Sequence, residues 1–415
     1  MLGERIRSLR KQKRMTLEAL AGDALTKGML SLIENNKAKP SMESLTYIAE
    51  RLGVEVSSLL EDISIQELRT VLEQAEKLFN LLSPKKSETN KQIIALIDPY
   101  IENLSNGYEA ARLLDIYSHC LFKEKKVGWM PYLDRAADIY DQMNLTSNRA
   151  SLGIFRSTVI FIAHDYQEAL RTFLHERSLI EANHAYIDPI TRLSLDYHET
   201  ILYFAVGDAK SALHVMNHAI SFSNKNRIYY QIDDLYRMAA GHAMMSKNKE
   251  EMAYYATKLK QYGEFADDPN SLLFYKLLMI ESLIFEEKQY DEVIKLIDEL
   301  HTENHLNEVY KPYFMLEKGR ALYGMGLYAE ALQYLNDIHF PDYMHHPFDL
   351  SIFYIADSYI ALCHLELKNE HEALKAAKKA IDRFEPLPET SYKDFSMETY
   401  QLIKSSLKQI KPADE

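Results

Sequence analysis

The feature that most constrains this 415-residue chain is that its sequence repeats itself from about residue 108 onward. Six blocks carry a small or apolar residue at an equivalent position, and successive positions lie 43, 40, 41, 38 and 42 residues apart, at Ala169, Ala212, Met252, Val293, Ala331 and Ala373. An aromatic-rich amphipathic stretch precedes each block, and a weaker seventh copy spans 127–140. This periodicity predicts pairs of helices that stack on their neighbours to bury their apolar faces.

One copy has the pattern of a known repeat. GRALYGMGLYAEAL (319–332) resembles a tetratricopeptide repeat, although the longer steps of this chain indicate extended, tetratricopeptide-like units. The whole chain contains 13 Gly and 12 Pro, too few for the many turns of a strand-rich fold. We therefore predict an all-α protein whose six or seven repeats form a right-handed solenoid with a concave surface.

The charge of the chain is unevenly distributed. Residues 1–39 contain nine Lys or Arg and four acidic residues, a balance of +5, whereas the net charge of the whole chain is −13 and that of the remainder is therefore −18. A basic head on an acidic body is typical of a protein whose head contacts phosphates and whose body does not.

Five short helices are predicted in the head. They span about 2–13, 17–21 after an N-cap at Thr16, 27–35 after an N-cap at Thr26, a segment starting at Pro40-Ser41, and a segment from Val56 through Leu59 and Leu60. TLEALA, SLIENNKAKPS and YIAERLGVEVSSLL, in this order, resemble the phage-repressor, Cro and XRE class of helix-turn-helix domain over residues 2–61. In that class, the positions of Arg10 and Glu34 form an internal ion pair.

The resemblance implies which residues contact DNA. The third helix would enter the major groove, and its base-contacting positions are Lys27, Gly28, Met29 and Ser31. Lys27 is suited to guanine acceptors and Met29 to a thymine methyl group, and phosphate contacts are expected at Thr16, Asn36 and Lys39. Leu17 and Leu32 replace polar residues that are common in the family, which favours modest affinity per head and a need for dimerisation.

A connector is predicted between the head (1–62) and the repeat domain (85–415). Apolar residues within 63–84 follow the 3,4 spacing of a coiled-coil seam, at Ile65, Leu68, Leu72, Ala75, Phe79 and Leu82. Two alternatives remain open: a helix that forms a dimer or carries a signal, and a helix packed onto the repeats.

Alignment of the repeats predicts a polar and aromatic groove on the concave side of each first helix. Its candidate peptide-binding residues are Arg112, Asp115, Tyr197, His198, Asp234, Arg237, Tyr275, Tyr313, Glu317 and Arg320. Arginine can hold a carboxylate through two hydrogen bonds, and tyrosine can stack on side chains. The alternative is that several of these residues form ion pairs between repeats.

The combination of head and repeats is similar to the RRNPP peptide-sensing regulators of Gram-positive bacteria, especially the NprR-like members. The resemblance implies a cytoplasmic homodimer that binds double-stranded DNA and a short signalling peptide. Those receptors usually hold the peptide with asparagines, whereas the repeat register of this chain has Phe155, His198, Met238, Met279 and Glu317 at those positions. Two alternatives are a scaffold that binds a response regulator and a repressor without a small ligand.

Catalytic, metal and membrane functions find little support in the sequence. HVMNH and HTENH place His214 and His218, and His301 and His305, four residues apart, but without a third ligand or an HExxH glutamate. We expect no enzyme activity, cofactor or metal. Cys120 and Cys363 are expected to be buried thiols, and no stretch approaches the roughly 20 apolar residues of a membrane span.

Overall fold

The computed structural model describes residues 2–56, 59, 65–81, 86–301, 307–341 and 343–410. In these ranges the chain is helical and has no strand, as predicted. It divides into two compact units, Met1–Leu152 and Gly153–Glu415. This division falls inside a helix of the repeat region, whereas the predicted domain borders lie near residues 62 and 84.

The first unit contains the head, the connector and the first pair of repeat helices. Its helices are α1 (Leu2–Gln12), α2 (Leu17–Ala21), α3 (Lys27–Glu34), α4 (Met42–Leu52), α5 (Ile65–Phe79), α6 (Lys86–Ile97), a 3-10 helix (Asp98–Asn103), α7 (Tyr108–Lys123) and α8 (Met130–Gln142). The head helices begin and end within a residue of the predicted positions. The predicted fifth head helix includes Leu60, which lies outside the described residues.

The division between the units falls within α9 (Thr146–Ile162). The helices that follow are α10 (Tyr166–Asn183), α11 (Pro189–Ala205), α12 (Ala209–Asn226), α13 (Ile232–Met245), α14 (Lys249–Ala266), α15 (Pro269–Ser282) with a π-helical end (Leu283–Glu287), α16 (Tyr290–His301), α17 (Asn307–Gly324), α18 (Tyr328–Asn336), α19 (Pro347–Glu366), α20 (Glu370–Phe384) and α21 (Ser391–Ile410). Successive helices α9 to α20 therefore form the six predicted pairs, and α7 with α8 forms the seventh.

The equivalent residues of the repeats mark the packing between paired helices. Five of the six are completely buried, with 0% exposure: Ala169, Ala212, Val293, Ala331 and Ala373. Met252, the largest side chain of the series, is half-buried. The equivalent positions are therefore core positions in five of the six repeats, four of them occupied by alanine.

A buried ion pair holds α1 against α3. Arg10 donates from Nε to Glu34 Oε1 at 2.6 Å and from Nη2 to Glu34 Oε2 at 2.8 Å, and its Nη1 donates to the Met15 carbonyl at 2.9 Å. The predicted internal pair is therefore confirmed. Around it, an apolar core formed by all four head helices includes Ile6, Leu20, Leu30 and Leu45.

The connector helix α5 packs within the first unit. It contacts α6 and α7, and its buried residues are Leu68, Val71, Leu72 and Ala75. Ile65 remains exposed, and Leu82 lies outside the described residues. The structure thus favours the second alternative, a helix packed onto the repeats, because most of the proposed seam is already covered within this chain.

One described helix has the length and apolar composition of a membrane span. This helix, α19, has a mean hydropathy of 1.2 over its best window, but 67% of that window is buried inside the protein. Its apolar residues are therefore explained by packing in the repeat core. Cys363 on this helix and Cys120 on α7 are both buried free thiols, as predicted, and burial raises the pKa of each to about 12.

Replacing Glu34 by alanine is expected to loosen the head. The change leaves the Arg10 guanidinium buried without its carboxylate, so the local free energy of opening of α1 and α3 should fall by about 3 kcal/mol. Hydrogen–deuterium exchange on the full chain measures this loss. Glu50→Ala, at an exposed position of α4, is the matched control; equal protection of α1 and α3 in both variants would contradict the assigned role.

Candidate functional site

Helix α3 presents one face to solvent. Leu30, Ile33 and Glu34 are buried on its inner side, whereas Met29 and Leu32 have 46% and 45% of their surface exposed. Thr26 caps the helix, since its Oγ1 accepts from the Met29 amide at 3.1 Å. The outer face of α3 is therefore rigidly held and open to a partner.

The polar side chains of α3 make contacts within the head. The Lys27 ammonium pairs with Glu18 of α2 and lowers the pKa of that carboxyl. Asn35 Nδ2 donates to the Ser31 carbonyl at 2.7 Å. Because Lys27 and Glu18 are both largely exposed, their pairing is screened by water and can be exchanged for another anion.

The expected phosphate-contacting residues also have local roles. Thr16 caps α2 by accepting from the Ala19 amide at 3.0 Å, and Asn36 Oδ1 accepts from the Gly3 amide at 2.9 Å. The hydroxyl hydrogen of Thr16 and Nδ2 of Asn36 can still donate to a phosphate. Lys39 is exposed.

Most of the positive charge of the head is on its surface. Of the nine basic residues in 1–39, Arg10 is used inside the head and Arg5 donates to the Leu59 carbonyl at 3.0 Å. The other seven are exposed: Arg7, Lys11, Lys13, Arg14, Lys27, Lys37 and Lys39.

A cavity of about 970 Å³ lies within the second unit. Each first helix of the six pairs α9–α20 contributes to its wall, together with the segment before α19 and the start of α21. Its lining is rich in aromatic and methionine side chains, among them Phe161, Tyr197, Phe204, Met238, Phe274, Tyr310, Tyr313, Tyr343 and Met344. Its volume is at the upper end of the range for small-molecule sites, and its wall is chiefly apolar.

A few charged groups face this apolar wall. Arg237 pairs with Asp234 at 2.7 Å, and its guanidinium lies 4.6 Å from the centre of the Phe274 ring. Asp349 lies near enough to raise the pKa of both Tyr313 and Tyr343, although burial is the larger cause for each. Burial likewise raises the pKa of Tyr197 to about 12, so the tyrosines stay neutral donors.

The segment before α19 closes one side of the cavity through contacts with residues far away in sequence. His346 Nε2 lies 3.1 Å from the Ile201 carbonyl of α11, and Tyr166 donates its hydroxyl to the His345 carbonyl at 2.8 Å. His345 Nδ1 also lies 3.4 Å from His164 Nε2. Burial lowers the pKa of His346, which therefore acts as a neutral hydrogen-bonding group.

Comparison with known proteins identifies the head. Residues 3–63 match the family described as a helix-turn-helix domain. These residues are a helix-turn-helix domain. A curated relative, the immunity repressor protein of Bacillus phage phi105, is 36% identical over 77 residues. The match covers 18% of this chain and spans half the length of that repressor.

Several solved structures are similar to this chain. PlcR of Bacillus thuringiensis, in complex with the peptide PapR7 and DNA, is 17% identical, with a TM-score of 0.37 over 67% of this chain and 98% of the other. ComR of Streptococcus vestibularis with its signalling peptide XIP is 19% identical, with a TM-score of 0.38 over 65% and 94%. The receptor Rgg2 of Streptococcus dysgalactiae is 14% identical, with a TM-score of 0.30 over 66% and 98%.

The structure brings together four of the ten residues predicted for the groove. Tyr197, Arg237, Tyr313 and Glu317 line the cavity, as does Met238, which occupies one of the register positions where asparagine is usual. Three others do not line it: Asp234 pairs with the lining residue Arg237, His198 bonds to the Ser194 carbonyl at 2.8 Å, and Tyr275 lies in a separate pocket with Lys260. Their roles in binding stay predictions.

Arg320 is placed differently from the prediction. Its side chain is fully buried, and Nη1 donates to Glu281 at 2.7 Å and to Glu317 at 2.7 Å. It therefore joins α15 to α17 and is not presented to a ligand carboxylate, in agreement with the alternative of ion pairs between repeats. Glu317 is shared, because it lines the cavity and completes this buried triad.

Arg112 and Asp115 belong to the first unit and do not line this cavity. Arg112 donates to Glu76 of the connector at 2.6 Å and to Asp115 at 2.6 Å. Asp115 also lies 3.0 Å from His119. Both charges are largely buried and already neutralised, so they are not presented to a ligand as predicted.

Several lining residues were not predicted from the sequence. Tyr343, His345, His346 and Asp349 come from the segment before α19 and its first turn, which the repeat alignment does not cover. The signal available was HHPFDL, in which Pro347 marks a helix start and His346 precedes it as a cap. Among the described residues, no group of three or more His, Cys, Asp or Glu side chains has the arrangement of a metal site. His305 lies outside the described residues.

The buried triad predicts a pH dependence of stability. Burial, and then the second carboxylate at Glu281, raise the pKa of Glu317 above its ordinary value of 4.5, against the opposing effect of Arg320. A carboxyl with a raised folded-state pKa binds its proton more tightly in the folded state, so its contribution to stability is lost as pH rises through the raised value.

The local free energy of opening of α17 should therefore fall as pH rises from the ordinary glutamate value into the neutral range. In Glu317→Gln this fall should be flattened. Hydrogen exchange at several pH values, corrected for intrinsic rates, measures it, with the exposed Glu330→Gln of α18 as the control. An unchanged profile in Glu317→Gln would show that another group titrates.

Proposed function

We propose that this protein is a transcription regulator: its helix-turn-helix domain binds double-stranded DNA, and its repeat unit binds a short peptide that changes DNA binding. The observation that carries the proposal is the outer face of α3. This helix is capped by Thr26 and held from behind by the Arg10–Glu34 pair, and its outer face exposes nearly half of the surface of Met29 and of Leu32. A recognition helix needs this combination to enter a major groove.

The exposed cations support contact with phosphates. Seven Lys and Arg side chains of the head are exposed on a chain of net charge −13, so attraction to DNA is concentrated in the head. Each phosphate neutralised releases counterions, and affinity should therefore decline steeply with salt. Lys27, Gly28, Met29 and Ser31 are proposed at the base edges, with Thr16, Asn36 and Lys39 at the backbone.

The cavity supports the second half of the proposal. A peptide offers apolar side chains to the aromatic and methionine wall, while its backbone and charged ends need a few polar partners. Arg237 is suited to a carboxylate and Asp349 to an amine or a basic side chain. The ligand we propose is therefore a short, mostly apolar peptide with both kinds of charge.

For peptide binding to change DNA binding, the peptide must bind one arrangement of the repeats better than another. The cavity wall is assembled from helices α9 to α21, so a bound peptide contacts repeats that are distant in sequence. A peptide that fitted every arrangement equally would shift nothing. We propose a homodimer as the unit that responds, since palindromic half-sites and weak individual heads call for two copies.

Replacing Lys27 by alanine is expected to weaken specific DNA binding by about 5- to 150-fold, because one contact of this kind supplies about 1–3 kcal/mol. Fluorescence anisotropy of a duplex selected from a random library measures the loss. Lys126→Ala, an exposed lysine outside the head, is the matched control. If Lys27→Ala keeps its helicity and binds DNA with unaltered affinity, α3 is not the helix that reads the major groove.

Filling the cavity is expected to abolish peptide binding. Pools of five- to eight-residue peptides should raise the melting temperature of the wild-type full chain, since a ligand at 100 times its Kd stabilises by about 2.7 kcal/mol. Met238→Trp places an indole in the cavity and should remove this shift. Met279→Trp, at an exposed position of α15 outside the lining, should retain it. Equal shifts in both variants, or none in the wild type, would speak against a peptide in this cavity.

A further inference from the structure

The side of α3 that faces away from the core of the head forms an outward line of residues that is apolar, and one of its positions is a glycine. With 3.6 residues per turn, the side directly opposite the buried Leu30, Ile33 and Glu34 carries Gly28 and Leu32, one turn apart, with Met29 beside them. A Cβ added at Gly28 would meet no atom within 4 Å. The first turn of the helix can therefore approach another surface closely, and Leu32 is the next side chain to reach it.

The polar neighbours of this line are engaged within the head. Lys27 pairs with Glu18, and Asn35 donates to Ser31. Met29 and Leu32 remain as large apolar side chains, each with nearly half of its surface in water. Burying them against an apolar group of a partner is favourable, whereas burying them against a polar base edge gains little.

The exposed apolar face of α3 is too small to favour a protein partner. Two side chains and a glycine form an area far below the roughly 800 Å² per partner of a stable protein interface. The exposed lysines of the head, at positions 27, 37 and 39 among others, point to a polyanion. In the major groove of DNA, the only apolar group at a base edge is the C5-methyl group of thymine.

We propose that Leu32 and Met29 read thymine methyl groups in the operator, so that sequence specificity rests on apolar contacts more than on hydrogen bonds to bases. This inference rests on the proposed DNA-binding function. It assigns to Leu32, at a position where polar residues are common, a positive role in selecting thymine-containing sites.

The test removes the methyl group alone. The full chain selects duplexes from a random library, and its affinity for the enriched sequence is compared with that for versions in which single thymines are replaced by deoxyuridine. Hydrogen-bonding groups stay the same, so each contacted methyl should contribute about fourfold in affinity, from about 0.8 kcal/mol per methylene-sized group. Replacement of thymines flanking the enriched positions should have no effect.

Variants locate the contact. Leu32→Ala should lower affinity for the thymine duplex and abolish the difference between thymine and deoxyuridine at one position, and Met29→Ala should do so at another. Leu32→Met, which keeps an apolar side chain, should preserve the difference. Lys27→Ala should weaken both duplexes by the same factor. Thermal melting of each variant checks that the head remains folded.

The outcomes separate two failures. If the wild type binds thymine and deoxyuridine duplexes equally at every position, or if Leu32→Ala keeps the full difference, methyl reading by these residues is overturned while DNA binding stands. If no sequence is enriched from the library, the proposed function fails, and this inference fails with it.

Discussion

The repeat region depends on one local geometry, in which the chain reverses through a residue with left-handed backbone five positions before the equivalent repeat residue. That residue is fully buried in five of the six repeats and half-buried at Met252. The reversing residues are His164, Gly207, Lys247, Lys288, Gly326 and Lys368, with φ between 53° and 81°. Each precedes its equivalent repeat residue, from Ala169 to Ala373, by five positions. At Gly207 and Gly326 this conformation is free of strain, whereas the Lys and His residues adopt it at a cost. The spacing is constant although the residue type is not, so geometry is what the repeats share.

The same geometry determines which helices line the cavity. The residue after each reversal begins the second helix, and in three repeats its side chain caps that helix: Asp165, Asp208 and Asn248 accept from amides three residues on. With the second helix fixed at its start and packed through its small residue, the first helix of every pair is left to line the cavity. This is why the recurring small or apolar residue predicted which helices line the cavity.

Ion pairs between repeats explain why the sequence predicted only part of the cavity wall. The repeat register correctly placed Tyr197, Arg237, Tyr313 and Glu317 at the cavity, because position on a first helix fixes its direction. It could not tell whether an arginine there meets a ligand or an acid from the preceding repeat. Glu281 stands 39 residues before Arg320, close to one repeat length, and Glu76 stands 36 residues before Arg112. A search for acids one period earlier would have revealed both pairs.

The sequence predicts the structure of the head best and that of the loops least. In the head, local signals decide the structure: Thr16 and Thr26 accept from the amides that a cap must satisfy, and the helices begin where those residues require. The segment with His345 and His346 depends instead on contacts to Tyr166 and Ile201, more than 140 residues away. No local pattern specifies such contacts, since they exist only once the intervening repeats have stacked.

Charge pairs between helices determine how such a stack can respond to a ligand. Arg177 of α10 contacts Asp196 and Glu199 of α11, each at 2.7 Å, and Asp357 of α19 binds Lys379 of α20 at 2.9 Å. Breaking a buried pair leaves an uncompensated charge, so these junctions favour one arrangement and resist gradual deformation. The partly exposed Arg237 has only Asp234 as an ion-pair partner in the described chain. Both residues lie on α13, so this pair does not join two helices, and a peptide carboxylate that replaced Asp234 at Arg237 would break no junction between repeats.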